Sequence, residues 1–437
     1  MMPQEVRSLL ARLESAGYQG WAVGGCVRDT LRRAAPSDWD VTTDARPEQV
    51  MALFGQAAIP TGLKHGTVTV RTGETRVEVT TFRRDGTYSD HRRPDEVQFS
   101  TSLEEDLARR DLTVNAMAMD LRGHICDPFG GQEDLSHRVL RCVGEPIRRL
   151  DEDALRIMRT LRFAAVLGFA IEPETAAALH RCAPLLADIA AERILVEMDK
   201  LLAGQDMASV LLAFPDVIGV FLPEIRPCVG FDQRNKHHCY DVWEHSVRAA
   251  EAIAPDAVLR WAMLLHDIGK PDCFTMDEQG TGHFYGHPAR SAELAEEICR
   301  RMRMDKKSAQ RIVTLVQWHD RDIPRTEKAV ARAARQLGGE TLRQLLAVKR
   351  AQSPLCRGRA AELDKAEAIL DGLVARQSCF SLRDLAVRGS DLTALGLHGP
   401  AVGQTLQRLL DAVMDGEAPN EKKSLLRLVT SDLRHEP

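Results

Sequence analysis

Two aspartates with one residue between them stand near the start of the chain, in the stretch DWDVTT. Because side chains alternate along a strand, Asp38 and Asp40 would point to one face at a strand end. Carboxylates placed in this way can share Mg²⁺, which binds a few carboxylate oxygens together with substrate phosphate. Glu78, on a later valine-rich strand, is placed to add a third carboxylate. This set suits two-metal catalysis, in which one ion activates an attacking hydroxyl and the other steadies a leaving pyrophosphate.

A glycine pair and an arginine come just before these aspartates. Gly24 and Gly25 would let the backbone approach a triphosphate, and Arg28 at the start of the next helix would supply positive charge. An isolated pair of aspartates is most often part of an ordinary surface loop. The glycines ahead of the pair and Glu78 behind it favour a nucleotide site that holds metal ions.

The order of these motifs resembles a known family. The stretch GGCVRD…DWDVTT is similar to the head domain of the DNA polymerase β nucleotidyltransferase superfamily. More narrowly, it resembles the bacterial class II tRNA nucleotidyltransferases and the bacterial poly(A) polymerases. RRDLTVNAMAMD and DEDALRIMRTLRF match two further motifs in order, and the resemblance covers at least residues 18–202. It implies that Asp38 and Asp40 carry the metals, that Gly25, Arg28 and Arg110 bind the nucleotide, that Asn115 lies at the sugar, and that Asp111 positions Arg110.

A second pair of residues could choose the base. Asp153 and Arg156 are three residues apart, so on one helix they would be neighbours on a face. An aspartate accepts hydrogen bonds and an arginine donates them. Cytosine and adenine present an amino donor beside a ring-nitrogen acceptor, whereas guanine and uracil present the reverse, so the pair fits C and A. The pair matches the family's E-D-x-x-R motif, an amino-acid template, and Arg159 and Arg162 resemble its further nucleotide contacts.

The segment Asp85–Phe99 is polar and has no periodicity, which predicts a mobile loop. In the family, a comparable loop helps the enzyme to switch from adding C to adding A, and enzymes that add only CC lack it. The segment is present here and includes Tyr88, Asp90, Arg92 and Arg93. The resemblance therefore implies addition of the complete CCA.

Histidines and aspartates recur in the second half of the chain, with His266 and Asp267 adjacent at the end of an apolar helix. Mixed imidazoles and carboxylates suit a divalent transition metal or Mg²⁺/Mn²⁺. Their order resembles the HD superfamily of metal-dependent phosphohydrolases, and a degenerate HD fold kept for structure is the alternative. The implied ligands are His245, His266, Asp267, His287 and Asp320, with Asp320 preferred to His319.

The elements that must position these residues divide the chain into an α/β part and a helical part. Val6, Leu9, Leu10 and Leu13 predict a first helix, and alternating valines predict a hairpin turning at Thr72–Thr75. Strand signals nearly vanish after Leu150. The fold class is α+β: a polymerase β-like nucleotidyltransferase head with an antiparallel or mixed sheet, then an all-α remainder. The expected parts are the head (1–142), a helical neck (143–204), an HD-containing body (205–345) and a tail for tRNA binding (346–437).

Composition sets wider limits. The 437 residues are enough for three or four domains, and no window approaches 18 uncharged apolar residues, so no membrane span is expected. The net charge of −5 does not by itself indicate a nucleic-acid-binding protein, since such proteins usually carry a positive charge. Ten scattered cysteines without a C-x-x-C argue against a zinc ribbon and a disulfide framework, and favour a reducing cytoplasm.

The function expected from the sequence is addition of CMP, CMP and AMP from CTP and ATP to the tRNA 3′ end, without a nucleic-acid template and with Mg²⁺ in the head. A poly(A) polymerase or an enzyme adding only part of CCA is the nearest alternative. An HD phosphohydrolase with an RNA-binding head and a non-catalytic RNA-binding scaffold are further alternatives, against which Asp38, Asp40 and Glu78 argue. The sequence leaves open whether the protein is a monomer or a homodimer.

Overall fold

The computed structural model of the protein describes residues 2–86, 97–234, 239–322, 325–352, 360–375, 382, 384–414 and 417–432. Tyr88, Asp90, Arg92 and Arg93 lie outside the described residues. The chain forms two compact units, one of residues 1–226 with 301–304 and one of residues 227–300 with 305–437. The division into four parts remains a prediction.

A mixed seven-stranded sheet is the centre of the first unit. Its strands are β1 (Gly20–Val23), β2 (Asp40–Thr43), β3 (Ala58–Gly62), β4 (Thr67–Thr72), β5 (Thr75–Thr81), β8 (Ala118–Met119) and β9 (Ile125–Cys126). Their order in the sheet is β3-β4-β5-β2-β1-β8-β9, in which β2 and β5 are parallel and the other neighbours antiparallel. The α+β class with a mixed sheet is thus confirmed.

Two small strand pairs accompany the sheet. β6 (Arg83–Asp85) and β7 (Val97–Phe99) are antiparallel, and β10 (Val139–Leu140) and β11 (Ala170–Ile171) are parallel. The β6–β7 pair lies at the two ends of the segment that the sequence predicted as a loop without regular structure. The ends of that segment are therefore brought together, whereas residues 87–96 are outside the described part.

The first helices of the first unit pack against the sheet, and the later helices, from α6 (Pro146–Glu152) on, pack mainly against one another. Val6, Leu9, Leu10 and Leu13 are buried on α1, as the spacing predicted. The α1 side chains leave no room at Gly20 in β1, where a Cβ would lie 3.1 Å from Leu10 and Leu13. The helices are α1 (Gln4–Ser15), α2 (Gly25–Leu31), α3 (Pro47–Phe54), α4 (Leu103–Ala108), α5 (Gly131–His137), α6 (Pro146–Glu152), α7 (Leu155–Leu167), α8 (Pro173–Cys182), α9 (Ala191–Leu202), α10 (Met207–Ala213) and α11 (Pro215–Phe221).

The second unit is helical apart from a small hairpin of β12 (Thr275–Met276) and β13 (Gly282–His283). A separate apolar cluster that includes Leu385, Leu409 and Leu425 forms the core of its last part. No helix in the described ranges is long and apolar enough to cross a membrane. Its helices are α12 (Val242–Glu251), α13 (Ala257–Leu265), α14 (His287–Arg301), α15 (Lys306–Trp318), α16 (Glu327–Leu337), α17 (Gly339–Gln352), α18 (Ala360–Ala375), α19 (Gly389–Thr393), α20 (Pro400–Met414) and α21 (Lys422–Asp432).

Candidate functional site

Strand pairing places a glycine turn and two carboxylates side by side. Asp40, the first residue of β2, is opposite Val23, the last residue of β1, and Gly24 follows Val23 directly. On its other side Asp40 is opposite Glu78 of β5. Asp38 precedes β2 rather than lying within it, but it is exposed like Glu78, whereas the side chain between the aspartates is buried. The pairing of Asp40 with Glu78 and the exposure of Asp38 are compatible with the expected shared face, which remains a prediction for Asp38.

The carboxylates of this face repel one another. Burial, followed by the charges of Asp38 and Glu78, raises the pKa of Asp40 to about 6, and Arg110 acts in the opposite direction. A divalent cation would relieve this repulsion, so the donor set fits Mg²⁺. The three carboxylates are not tightly convergent, because among the described residues the groups of candidate ligands within 4.8 Å of one another lie in the second unit.

Arg110 lies against the glycine turn. Gly24 has φ +83°, and a Cβ there would be 3.0 Å from Nη1 of Arg110. The family resemblance implied Asp111 as the residue that positions Arg110, but the ion pair of Arg110 in the structure is with Asp106: Nη2 of Arg110 lies 3.4 Å from the buried carboxylate of Asp106. The reason is helical spacing, since the two residues of that ion pair are four apart around the end of α4. The buried Nε of Arg110 has no hydrogen-bond partner within the described ranges and could donate to a bound phosphate.

A chain of polar side chains leads from the glycine turn to α7. Arg28 makes two hydrogen bonds of 2.9 Å to Asp29 and donates one of 2.7 Å to Oδ1 of Asn115. Asn115 donates to Asp111 at 3.2 Å, and Arg159 of α7 donates to Asp111 at 2.8 Å. Burial acts to raise the pKa of Asp111, but Arg159 and Asn115 outweigh it and hold that pKa well below its usual range. Asp111 is therefore an ionised link between the head and α7.

Phe163 of α7 is surrounded by three of the predicted nucleotide-binding arginines. The guanidinium carbons of Arg28, Arg159 and Arg162 lie 5.1, 5.7 and 3.8 Å from the centroid of its ring. Arg162 is also fixed by a hydrogen bond of 2.5 Å to Glu197. The sequence analysis did not single out Phe163, since an aromatic residue on an apolar helix face is usually part of the core. Its position directly after Arg162, at the end of the motif, was the available signal.

Asp153 and Arg156 do not share a helix face, which corrects the sequence prediction. Asp153 has extended backbone angles (φ −140°, ψ 100°) between α6 and α7, and its carboxylate accepts from the N–H of Leu155 at 3.1 Å. The guanidinium of Arg156 instead donates to Glu152 at 2.7 Å. Burial raises the pKa of Asp153, and the nearby Arg193 and Arg156 offset this in part. A break between two helices, with an aspartate at the break, separates the pair.

The second unit brings four imidazoles to one carboxylate. The Nε2 atoms of His266 and His245 lie 3.2 and 3.4 Å from Oδ2 of Asp267. Those of His287 and His319 lie 3.2 and 3.5 Å from its Oδ1. All five side chains are buried. The residues come from α12, the end of α13, the start of α14 and the end of α15, so the HD cluster, as we call these five residues, forms only in the folded unit.

His319, not Asp320, completes the HD cluster. Nδ1 of His319 bonds to the carbonyl of Val316 at 2.6 Å, which turns its Nε2 towards Asp267. Asp320, which the sequence analysis preferred, is exposed and belongs to neither close group, although it lines the same cavity. Two adjacent residues at a helix end point in different directions, and their order in the sequence does not tell which one faces inwards.

The imidazoles of the HD cluster are oriented as metal ligands usually are. Carbonyl oxygens only accept hydrogen bonds, so His266, His287 and His319 must donate from Nδ1 to the carbonyls they contact at 2.6–2.8 Å. When neutral, each then carries its lone pair on Nε2, the nitrogen that faces Asp267. The Nε2 atoms of His287 and His319 are 3.2 Å apart, and Nε2 of His266 faces Oδ2 of Asp267 at 3.2 Å. Burial lowers the pKa of His319. The cluster therefore fits a divalent metal.

Lys270 is a further charged residue, beside the HD cluster, that was not predicted from the sequence. Its buried ammonium lies 2.7 Å from Oδ2 of Asp267 and 2.9 Å from Oε1 of Gln233. Burial acts to raise the pKa of Asp267, but His266 and Lys270 outweigh it, so this pKa is well below its usual range. Lys270 follows Asp267 by three residues, and this spacing was the signal in the sequence.

Three known protein families match successive parts of the chain. Residues 20–141 match the family described as "Poly A polymerase head domain". Residues 168–225 match "Probable RNA and SrmB- binding site of polymerase A", and residues 236–369 match "HD domain". The fold and the sites thus define a nucleotidyltransferase head joined to an RNA-binding region and an HD domain.

Full-length relatives narrow this class. The CCA-adding enzyme of Geobacillus kaustophilus is 37% identical over 425 residues, which cover 97% of this chain and 95% of the relative. The CCA-adding enzyme of Leuconostoc mesenteroides is 34% identical over 433 residues, covering 97% and 96%. The crystal structure of the Bacillus stearothermophilus CCA-adding enzyme in complex with CTP matches with a TM-score of 0.72 and 32% identity, over 99% of this chain and 98% of that one. The chain belongs to the CCA-adding enzyme family.

Proposed function

We propose that this protein adds CMP, CMP and AMP in turn to the 3′ end of tRNA, using CTP and ATP and no nucleic-acid template. The observation that carries the proposal is the position of Asp40, between the turn at Gly24 and the carboxylate of Glu78. The polar chain from Arg28 through Asp111 to Arg159 joins this place to α7. The similarity to a relative solved with CTP supports the choice of nucleotide.

Asp38 and Asp40 would hold Mg²⁺, and Glu78 is the third carboxylate within reach of the same face. When bound, the ions would activate the tRNA 3′-hydroxyl and steady the leaving pyrophosphate. Burial first, and then the charges of Asp38 and Glu78, raise the pKa of Asp40 to about 6, and a bound cation would favour its ionised form, which supports this assignment.

The glycine turn and the arginines would bind the triphosphate. Gly24 and Gly25 leave the backbone accessible, and Arg110 offers its unpaired Nε at the same turn. Arg28 is held by Asp29 and Asn115, so its charge has a fixed place before the nucleotide arrives. The 3′-oxygen of the tRNA forms a bond to the α-phosphorus, and the bond from that phosphorus to the bridging oxygen of the β-phosphate breaks, releasing pyrophosphate.

Asp153 and Arg156 would select the base. Asp153 can accept from the amino group that cytosine and adenine share, and Arg156 can donate to the neighbouring ring nitrogen. Arg156 already donates to Glu152, so base binding would require it to exchange or share that bond. Uracil and guanine would leave the half-buried Asp153 and the buried Arg156 without partners on the base, which is the basis of their rejection. Arg159 and Arg162 are proposed as further contacts on the same helix.

The test uses purified protein, labelled nucleotides and three tRNAs that lack CCA, CA or only the final A. We expect each tRNA to be completed to CCA and then to receive nothing more, with CTP and ATP used and UTP and GTP refused. Long A tails would indicate a poly(A) polymerase, and extension of only one or two of the three tRNAs would indicate a partial enzyme. Absence of incorporation into all three would refute the proposal.

We also propose a phosphohydrolase activity for the HD cluster, on phosphomonoesters or 2′,3′-cyclic phosphates. His245, His266, Asp267, His287 and His319 would hold a divalent transition metal or Mg²⁺/Mn²⁺, which when bound would activate a water molecule. The four Nε2 atoms that face the carboxylate of Asp267 favour this over a purely structural role.

Metal analysis of the purified protein, with phosphate release in added Mn²⁺, Ni²⁺, Co²⁺ or Mg²⁺, tests this second activity. Bound metal together with hydrolysis is the expected result. If neither is found, the HD cluster is a structural spacer. The proposal of nucleotide addition does not depend on this result.

A cytoplasmic location belongs to the same proposal. The cysteines in the described ranges are free rather than disulfide-bonded. This is the usual state of cysteines in a reducing compartment, where tRNA is also processed.

A further inference from the structure

Tyr285 is an exposed aromatic residue beside the HD cluster. It lies between β13 and α14, two residues before His287, and is 79% exposed. One face of its ring stacks on His283, with ring centroids 5.4 Å apart and an interplanar angle of 8°. The other face of the ring is therefore open to solvent. An exposed aromatic face of this kind can stack on a nucleic-acid base, because every base has a π-face.

The ring of Tyr285 is held in place by His283, which is itself fixed by Asp277. Nε2 of His283 lies 2.9 Å from Oδ2 of Asp277, and Nδ1 of His283 lies 3.5 Å from the Tyr285 hydroxyl. The other oxygen of Asp277 accepts from the N–H groups of Gln279 and Thr281 and so closes the turn of the hairpin. An aromatic surface that is fixed before binding loses little conformational entropy when a ligand stacks on it.

The hairpin that carries this surface is anchored to the rest of the unit. Gly282 donates its N–H to the carbonyl of Arg234 at 2.9 Å. A Cβ at Gly282 would lie 2.3 Å from the carbonyl oxygen of Gln233, so the two backbones are in close contact. Gln233 in turn accepts from Lys270, beside the HD cluster. The aromatic surface and the HD cluster thus have a fixed separation.

One cavity contains both features. Its volume is about 410 Å³, and its lining includes His283 and Tyr285 together with Asp267, Lys270, His287 and His319. This volume is in the range of small-molecule sites, roughly 300–1,000 Å³. The cavity has a flat aromatic surface in one part and a buried ammonium beside the candidate metal ligands in another. A ligand that matches both has an aromatic ring attached to a phosphate.

We propose that Tyr285 is a base-stacking residue that makes the HD cluster selective for phosphorylated nucleosides. This rests on the proposed phosphohydrolase function and names its substrate class. The base would lie on the open face of Tyr285, and the phosphate would lie towards Lys270 and the HD cluster. In the hydrolysis, a water oxygen bonds to phosphorus and the bond from phosphorus to the ribose oxygen breaks, releasing a nucleoside hydroxyl and phosphate. The phosphorylated nucleoside is either a free mononucleotide or the last residue of an RNA.

The experiment compares Tyr285→Ala with the full-length wild-type protein on two probes, adenosine 3′-monophosphate and glycerol phosphate. Both probes carry a phosphomonoester, but only the first carries a base. Tyr285→Phe retains the ring and serves as the conservative control. Met276→Ala removes an exposed side chain from the other strand of the same hairpin, outside the cavity lining, and serves as the matched control.

Tyr285→Ala should raise the KM for adenosine 3′-monophosphate about tenfold, within the range for loss of one base–aromatic stack, and leave glycerol phosphate hydrolysis unchanged. Tyr285→Phe and Met276→Ala should behave as wild type. Calorimetric titration of adenosine 3′-monophosphate into metal-free protein should show the same order of affinities without any reaction. An RNA oligonucleotide ending in a 3′-phosphate, used in parallel, tells whether the RNA end or the free nucleotide is preferred.

Equal KM values for wild type and Tyr285→Ala on the nucleotide would overturn the stacking role. So would an equal loss on both probes, since that would make Tyr285 a structural residue. Absence of hydrolysis by the wild type on both probes would instead refute the phosphohydrolase function. In that event the titration still decides about Tyr285, because it depends on binding alone.

Discussion

Asp40 depends on the strand order for its surroundings, because that order places it between a glycine turn and a second carboxylate. Asp38→Ala or Asp40→Ala should therefore abolish incorporation of both CMP and AMP while the fold is retained. The loss should be roughly a thousandfold or more, because metal coordination contributes several kcal/mol and each 1.4 kcal/mol is tenfold in rate.

The measurement is single-nucleotide incorporation on tRNAs lacking CCA or A, with circular dichroism to show that the variants are folded. Asp44→Ala, just beyond the other end of β2, is the matched control and should keep full activity. Wild-type turnover in either Asp38→Ala or Asp40→Ala would contradict the assignment.

Base choice is also a matter of single side chains. Asp153→Ala should relax discrimination of C and A against U and G, because it removes the acceptor for the amino group that C and A share and that U and G lack at this position. The quantity to follow is incorporation of UMP relative to CMP on the same tRNA, and it should rise in the variant. Asp151→Ala removes an exposed aspartate two residues away and should leave the ratio unchanged. An active Asp153→Ala enzyme with the wild-type ratio would remove the template role from this residue.

The sequence predicted which residues belong to the sites, but it did not always predict which of them contact each other. The sequence identified Arg110, Asp111 and Asp153, yet it could not show that Asp106 rather than Asp111 pairs with Arg110. It also treated Asp153 as helical, since spacing rules assume an unbroken helix, whereas Asp153 lies in the break between α6 and α7. In the HD cluster, the sequence preferred Asp320 as a ligand, whereas His319 is the residue that faces Asp267, because the direction of side chains at a helix end is not specified by the sequence.

At the scale of elements, local patterns were predicted well and long-range pairing was not. The turn of the β4–β5 hairpin at Thr72–Thr75 and the buried face of α1 follow from alternation and helical spacing. The parallel pairing of β2 with β5 joins residues far apart in the chain, and no local signal specifies it. That pairing is nevertheless what brings Glu78 opposite Asp40, so the site depends on an element contact that only the folded structure shows.

Helix α7 offers a prediction at this scale. Phe163→Leu should weaken nucleotide binding, because Arg28, Arg159 and Arg162 lose the ring on which their guanidinium groups lie. Cation–π contacts are each worth about 0.5–2 kcal/mol, so the KM for CTP and ATP should rise roughly fivefold or more. The fall in kcat should be smaller, since Phe163 positions the arginines and does not touch the reacting atoms.

Phe169 offers a matched control for Phe163 in the same unit. Phe169 lies beneath Arg32 and Arg138, with guanidinium carbons 5.4 and 5.7 Å from its ring, and neither arginine belongs to the proposed nucleotide site. Phe169→Leu should therefore cost similar packing and leave the KM unchanged. If both variants change the KM equally, or if Phe163→Leu changes only kcat, Phe163 does not position the arginines.

At the scale of the whole molecule, two sites lie in two compact units of one chain. The carboxylates of the head belong to the first unit and the HD cluster to the second. A tRNA end that carries a phosphate has no free 3′-hydroxyl to attack a nucleotide, so a phosphohydrolase would supply the acceptor that the head uses. The two proposed activities are therefore complementary, although each can be tested without the other.

The two sites should be separable by mutation. The double variant His266→Ala with Asp267→Ala should lose bound transition metal and phosphate release while it keeps nucleotide addition, since the head carboxylates belong to the other unit. Removing Asp267 leaves the buried Lys270 without its carboxylate, and breaking a buried pair typically costs about 3–5 kcal/mol. His319→Gln, which removes one nitrogen ligand and leaves the Asp267–Lys270 pair, is therefore the milder companion variant. Metal content, phosphate release and CMP incorporation are measured on the same preparations. If His319→Gln loses CMP incorporation in parallel with metal, while the thermal unfolding of the protein is unchanged, the sites are coupled and the separation is wrong.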